Sequence, residues 1–177
     1  MIFPTDTVPA LATLPKYSSL IWRIKKRPLD KPLILMGATA EELFKFIHPT
    51  ALIDAQKMAK NYWPGALTIV MPAFGEFVES LNPGHNTIGL RVPDSSLAID
   101  LLSMTGPLAT TSANLSGAVP VSSIEEASQA FPEVPLLTNS KWPQSSGLAS
   151  SVIEWKKKGN WHLLRAGAVI PENLESQ

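Results

Sequence analysis

Cysteine is absent from the 177 residues, so disulfides and thiolate metal sites are excluded. An excess of either charge is absent too: fifteen Lys and Arg balance fifteen Asp and Glu. On charge alone this disfavours a dedicated nucleic-acid binder, which relies on a basic surface. Charged residues of both signs are few, 17% of the chain against a usual ~25%, which points to much interior and room for a lined cavity. Long apolar runs are missing. The longest uncharged stretch, 24 residues between Asp100 and Glu125, holds Gly106, Pro107, Gly117, Pro120 and nine Ser, Thr or Asn residues, unlike a membrane span. Met1-Ile2-Phe3-Pro4 has neither the basic nor the apolar region of a leader. The expectation is a cytoplasmic protein without a membrane partner. Familiar motifs are missing as well: there is no Gly-x-Gly-x-x-Gly, no P-loop and no Gly-x-Ser-x-Gly elbow. His48, His85 and His162 lack metal-ligand spacing, so no protein-held metal is expected. If phosphates are bound, another device binds them.

What is present is a 45% apolar chain with 16 prolines, long enough to bury roughly two-thirds of its unfolded surface in one domain, residues 1–177. The prolines predict frequent turns and short elements. Helices are expected over Ser19–Arg27, stopped by Pro28, from a Thr39/Glu42 capping box towards Ile47, over Ala51–Tyr62 and Ser96–Met104, and from Ser123/Glu126 to just before Pro132. Strands are expected at Met1–Pro4, Leu33–Met36, Ala66–Met71, Thr87–Val92, Leu108–Thr111, Val134–Leu137, Ser151–Trp155 and Trp161–Arg165, the last two as a hairpin around Lys156–Asn160. Strands and helices mix without strict βαβ alternation, which predicts a twisted mixed α/β sheet with helices packed on it.

Three features suggest chemistry. Lys16, Arg23, Lys25, Lys26, Arg27 and Lys31 fall within 16 residues, with Asp30 the only acid among them. The spacing places Arg23, Lys26 and Arg27 on one helix face, and Arg27 and Lys31 flank Pro28-Leu29-Asp30 so that both can enter one site. A guanidinium fork with an ammonium suits a polyphosphate, although charge pattern alone equally fits a solvated face. The uncharged segment Leu108–Ser122 carries Thr110, Thr111, Ser112, Asn114, Ser116 and Ser122, neutral donors for an anion, or simply an ordinary polar loop. Arginine is scarce, four against eleven lysines, yet Arg91 and Arg165 each end an apolar strand. A charge there needs a partner, either a bound carboxylate or phosphate or a structural ion pair. Trp22, Trp63 and Trp142 read as core rather than as a base-stacking platform.

In order along the chain stand Pro4-Thr5-Asp6-Thr7-Val8, the Lys25-Lys26-Arg27-Pro28 to Lys31-Pro32-Leu33-Ile34 block, Trp63-Pro64-Gly65-Ala66-Leu67-Thr68, Thr87–Pro93, Thr111-Ser112-Ala113-Asn114-Leu115-Ser116-Gly117 and Arg165-Ala166-Gly167. This ordered set resembles the YrdC family, the L-threonylcarbamoyladenylate synthases, over almost the whole chain. The basic turn and the hydroxyl loop coincide with that family's Lys-x-Arg and Ser-x-Asn motifs. The resemblance implies a twisted open α/β sheet curled around a large, positively lined cavity. It implies a nucleotidyltransferase: L-threonine, bicarbonate or CO2 and ATP give threonylcarbamoyl-AMP and pyrophosphate. A partner transferase then passes the threonylcarbamoyl group to tRNA, so tRNA contact would be indirect or weak. ATP would arrive with Mg²⁺, with no tightly bound cofactor. By matching motif, Arg27 and Lys31 would be catalytic; Arg27, Lys31, Thr87, Ser112, Asn114, Ser122 and Arg165 would bind ATP; Thr7, Arg91 and Ser150 would hold threonine.

The chain departs from the family pattern at Pro9, Ala10 and Met36. Pro9 removes a backbone donor and Ala10 stands where glycine is usual; Met36 replaces a frequent histidine. These departures motivate one alternative, a non-catalytic paralogue. The other is a double-stranded RNA or tRNA-binding module with Lys156–Lys158 as a basic tip.

Overall fold

The computed structural model describes residues 1–138, 141–143, 146–172 and 174. Eight strands form one mixed sheet: β1 (Ile2–Phe3), β2 (Ala10–Thr13), β3 (Ile34–Met36), β4 (Leu67–Pro72), β5 (Thr87–Arg91), β6 (Leu108–Ser112), β7 (Ser151–Lys157) and β8 (Asn160–Arg165). Their order is β1-β2-β6-β3-β5-β4-β7-β8. The pairs β3/β5 and β4/β7 are parallel and the others antiparallel. Among the described residues six α-helices flank it, α1 (Ser19–Lys25), α2 (Ala40–Phe44), α3 (Leu52–Tyr62), α4 (Glu76–Glu79), α5 (Ser96–Thr105) and α6 (Ile124–Ala130), with 3-10 turns at Pro15–Tyr17 and Pro49–Ala51.

The two-residue period of the strands divides the sheet's faces. Leu35, Leu67, Ile69, Met71, Ile88, Leu90, Ala109 and Ile153 point one way and join the main core, together with Ala51 and Ala55. A second cluster packs Ala98, Leu101 and Leu102 of α5 against Phe3, Ala10, Ala12, Met36 and Leu108. The alternate residues Ile34, Thr68, Val70, Thr87, Gly89, Arg91, Thr110, Ser150 and Val152 line a cavity instead. One face of the sheet is therefore main core, and the other carries the second cluster at one end and the floor of a site beside it. Gly89 adds no side chain to that floor, although a Cβ there would make only ordinary contacts, 3.4 Å from Ile34 and 3.5 Å from Thr68.

Most expected elements are present, with shifted ends. The Thr39/Glu42 capping box forms as read, and β7 and β8 form the hairpin. Three readings need correction. Helix α1 stops at Lys25, because Lys26 takes a left-handed capping conformation, φ 50°; Arg27 lies beyond the helix, so Arg23, Lys26 and Arg27 share no helical face. Val134–Leu137 is no strand. Ile2 pairs with it through a single bridge at Leu136, donating to the Pro135 carbonyl and accepting from the Leu137 amide. Pro4 ends the partner strand, and Pro135 has no N–H to extend the ladder. Strand β2 and helix α4 were not expected. Trp22 is buried, and Trp63 and Trp142 pack partly buried against the core, as read.

Candidate active site

The cavity on the polar face measures about 510 Å³, within the usual range for small-molecule sites. It is lined by Thr7, Arg27, Lys31, Thr87, Arg91, Ser112, Ser150 and Arg165, which brings together most of the residues singled out in the sequence. A larger groove of about 790 Å³ between α2 and α3, walled by Phe44, Leu52, Trp63 and Val92, holds none of them. Four cationic side chains line the polar cavity against two acids, Asp30 and Glu154. Glu154 is already paired with Lys156 at 2.5 Å.

The basic turn is rigid. The Arg27 amide donates to the Trp22 carbonyl, and the Lys31 amide to the Pro28 carbonyl. The Arg27 guanidinium donates Nε to Lys31 O at 3.1 Å and an Nη to Pro32 O at 3.0 Å. Trp22 Nε1 also donates to Lys31 O, at 3.2 Å. Two of the five guanidinium donors thus shape the turn, leaving three for a ligand. Burial and the charge of Arg165 both pull the Arg27 pKa down, with Asp30 opposing. Two guanidiniums that repel each other in one cavity leave a place for an anion.

Arg91 is held differently. It is 4% exposed, and its donors go to Gly65 O at 3.0 Å, Thr7 Oγ1 at 2.8 Å and Asp6 Oδ1 at 2.6 Å. Burial pulls its pKa down and Asp6 opposes. The structural ion pair weighed from the sequence is therefore real. It leaves two N–H groups of the guanidinium without a protein acceptor, so a carboxylate can still be received.

Arg165, at the end of β8, donates to the Ser150 carbonyl at 2.8 Å, and burial lowers its pKa. Gly167 permits this approach, since a Cβ there would strike the Ala149 carbonyl. Ser150 is buried and shares a 2.9 Å hydrogen bond with Thr68.

Two expected residues lie elsewhere. Asn114 does not line the cavity; its Nδ2 donates to Leu115 O and Ala118 O, both at 2.8 Å, and its Oδ1 accepts from Ser112 Oγ at 2.6 Å. Ser122 is exposed and donates its amide and hydroxyl to Glu126 in the first turn of α6, whose cap is Ser123. Neither departure in the first loop disturbs the backbone. The Pro9 carbonyl accepts from the Ala113 amide at 2.8 Å. Ala10 is not among the positive-φ residues, so no glycine is required there. Ala10 and Met36 both line the cavity.

Four contributors were given no role from the sequence, and each backs a residue that was. Asp6 pairs with Arg91. Thr68 meets Ser150. Asn82 Nδ2 donates to the carbonyl and hydroxyl of Thr87, both at 3.1 Å. Lys25 donates to Ser112 O and, at 3.1 Å, to Asn114 Oδ1. Lys25 stood in the basic run, and Asp6 and Thr68 in the ordered motif set, without a role of their own; Asn82 carried no signal.

The Sua5/YciO/YrdC family model, described as telomere recombination, matches residues 1–167. The chain belongs to this family. Threonylcarbamoyl-AMP synthase of Escherichia coli O6:H1 is 37% identical over 142 residues, 75% of each chain. The mouse protein of that name is 31% identical over 98% of this chain and 64% of its own length. Among solved structures, Pyrococcus abyssi Sua5 complexed with L-threonine superposes with a TM-score of 0.84 at 30% identity over 94% of this chain. E. coli YciO superposes with a TM-score of 0.76 at 26% identity, covering 94% of this chain and 82% of its own. This chain spans about half of the Sua5 structure (49%). No helix among the described residues is long and apolar enough to cross a membrane.

Proposed function

We propose that this YrdC-type chain makes L-threonylcarbamoyl-AMP from L-threonine, bicarbonate or CO2, and ATP, releasing pyrophosphate. The observation that carries this reading is one cavity holding a polyphosphate device, Arg27, Lys31 and Arg165, beside a carboxylate device, Arg91 with Thr7 and Ser150. The synthase names of its relatives and the threonine complex of the Sua5 neighbour support it.

Arg91 receives the threonine carboxylate on its two remaining N–H groups, and Thr7 and Ser150 offer hydroxyls to the rest of the amino acid. The amino nitrogen bonds to carbon of CO2, loses a proton and becomes an N-carboxylate. An oxygen of that carboxylate attacks the α-phosphorus, and the bond from phosphorus to the bridging oxygen breaks. Charge builds on the departing pyrophosphate, where Arg27, Lys31 and Arg165 stabilise it. Positioning and fixed charge can supply most of such catalysis without a covalent nucleophile. Thr87 and Ser112 add neutral donors, while Asn114 and Ser122 act on loop shape. Magnesium would arrive with the nucleotide, held largely by its phosphates and water. The product goes to a transferase that modifies tRNA.

The test is pyrophosphate release with each substrate omitted in turn. Release that requires ATP, threonine and bicarbonate together is expected. Release independent of threonine, or salt-sensitive RNA binding without any release, overturns the reading.

A further inference from the structure

Residues 5–7 converge on Arg91: Asp6 and Thr7 both accept from its guanidinium, at 2.6 and 2.8 Å. Behind them Thr5 is buried, as Thr7 is. The Thr5 hydroxyl donates its one proton to the Val8 carbonyl at 2.8 Å. In its 3.1 Å contact with Thr7 Oγ1 it can therefore only accept. It also accepts from the Thr7 amide, at 3.2 Å, so both of its lone pairs are filled. The Thr7 hydroxyl is then the donor in that contact, and its proton is held by Thr5. One lone pair of Thr7 Oγ1 takes an N–H of Arg91. Among the described residues no further protein donor reaches the other. Thr7 lines the cavity, so what its hydroxyl has left to offer there is an acceptor and not a proton. The bond from the Thr7 amide is an ordinary turn contact; the hydroxyl relay is no part of the turn.

We propose that Thr5 is a positioning residue that fixes the Thr7 hydroxyl as an acceptor for the amine of the amino acid. The proposal deepens the synthase reading above and rests on it. Arg91 keeps two N–H groups for a carboxylate, and Thr7 Oγ1 lies 2.8 Å from the same guanidinium. Donors and an acceptor thus stand side by side, the complement of a carboxylate and an amine on one α-carbon. The amine has to present its own lone pair to CO2. That pair forms the bond from nitrogen to carbon, one carbon–oxygen π pair moves to oxygen, and an N–H proton passes to solvent. A hydroxyl free to rotate would donate to the nitrogen lone pair and blunt it. Thr7 cannot, because Thr5 holds its proton; it takes an N–H instead and leaves the lone pair free.

The experiment is a double-mutant cycle in the full chain: Thr5→Val, Thr7→Val and the two together. Each is read by steady-state pyrophosphate release and by calorimetric titration with amino acid and with a non-hydrolysable ATP analogue. Thr5→Val keeps the volume and removes the relay. Turnover at saturating threonine should fall about 10–100-fold, more than the threonine Michaelis constant rises, with analogue affinity unchanged. Thr5→Ser, which retains the hydroxyl, should restore most of the rate. In the Thr7→Val background Thr5→Val should cost nothing further; an additive cost would make Thr5 a residue of the loop alone and overturn the proposal. L-2-aminobutyrate keeps the amine and lacks the side-chain hydroxyl. Thr5→Val should weaken its binding and that of threonine by the same factor, about 2–10-fold. A loss confined to threonine assigns Thr7 to the side-chain hydroxyl and also overturns the proposal. Should Thr5→Val not fold, NMR of the wild type decides: the Thr7 hydroxyl proton should be protected from exchange and close to Thr5, and a freely exchanging one overturns the proposal. Wild type that releases no pyrophosphate with all three substrates present overturns the synthase reading and this proposal with it; release by wild type with an additive cycle overturns the proposal alone.

Discussion

The two cationic devices of the cavity are built on opposite principles. Arg91 is buried and its charge is met by Asp6 at 2.6 Å, with Thr7 and Gly65 fixing its orientation. Arg27 and Arg165 repel each other, and Lys25 behind them has no acid partner among the described residues. The first device is electrostatically complete before any ligand arrives and selects by geometry. The second is short of negative charge and is completed by its ligand.

Four measurements would sharpen or break this contrast. The largest effect is expected for Arg91→Ala. It strands Asp6 in a mostly buried setting, so unfolding free energy should fall by roughly 3–5 kcal/mol in denaturant titration. Threonine affinity should be lost with it while the nucleotide analogue still binds. An unchanged threonine affinity would make Arg91 structural only. Next is Lys31→Ala. Lys31 makes no side-chain hydrogen bond or ion pair among the described residues, so the fold should be untouched. Turnover should fall about 10²–10³-fold, more than the ATP Michaelis constant rises; a change in the Michaelis constant alone would remove the transition-state role. Stability against pH should report the missing counter-charge. The folded pKa of Lys25, about 7, lies below its ordinary 10.5, so the unfolded chain binds more protons between these values and stability rises with pH across that window. Lys25→Met should remove that rise in unfolding measured from pH 7 to 10. The smallest effect is expected for Asn82→Ala, which frees the Thr87 hydroxyl. It should weaken the nucleotide by about 1 kcal/mol and leave threonine affinity unaltered; equal loss of both ligands would show a shared disturbance of the floor.

The complete device was the harder one to read in the sequence. Arg27 and Lys31 announce themselves as charges around a proline-bounded turn, and Arg91 and Arg165 as charges closing apolar strands. Their partners do not. Asp6 reaches Arg91 across 85 positions, and Lys25 reaches Asn114 across 89; such pairs exist only once the sheet order is set. Lys25 counted merely as one more member of a basic run, although its burial makes it unlike Lys26 and Lys31. Strand β2 escaped for a local reason. Ala10-Leu11-Ala12 has no β-branched residue and no alternation, because this strand between β1 and β6 is buried on both faces. Helix α4 has only four residues after Gly75, too short for a 3.6-residue period to show. Asn114 and Ser122 were misplaced because a polar loop looks the same whether its amides face a ligand or close on themselves.

The strand order has a consequence for how the protein comes into being. The floor depends on two parallel pairings, Ile34 with Gly89 and Leu67 with Ser151, each closing a long loop before any contact repays the lost chain entropy. The local hairpin β7/β8 carries Arg165 but neither Arg27, Lys31 nor Arg91, so it holds only a part of the cavity. Arg165, on the β8 edge, reaches the rest of the cavity only through β7 and its long-range parallel pairing with β4. Ligand binding should therefore be the last property to return on refolding, in step with the slowest phase, and a chain stalled midway through folding should have no weak or partial activity to offer.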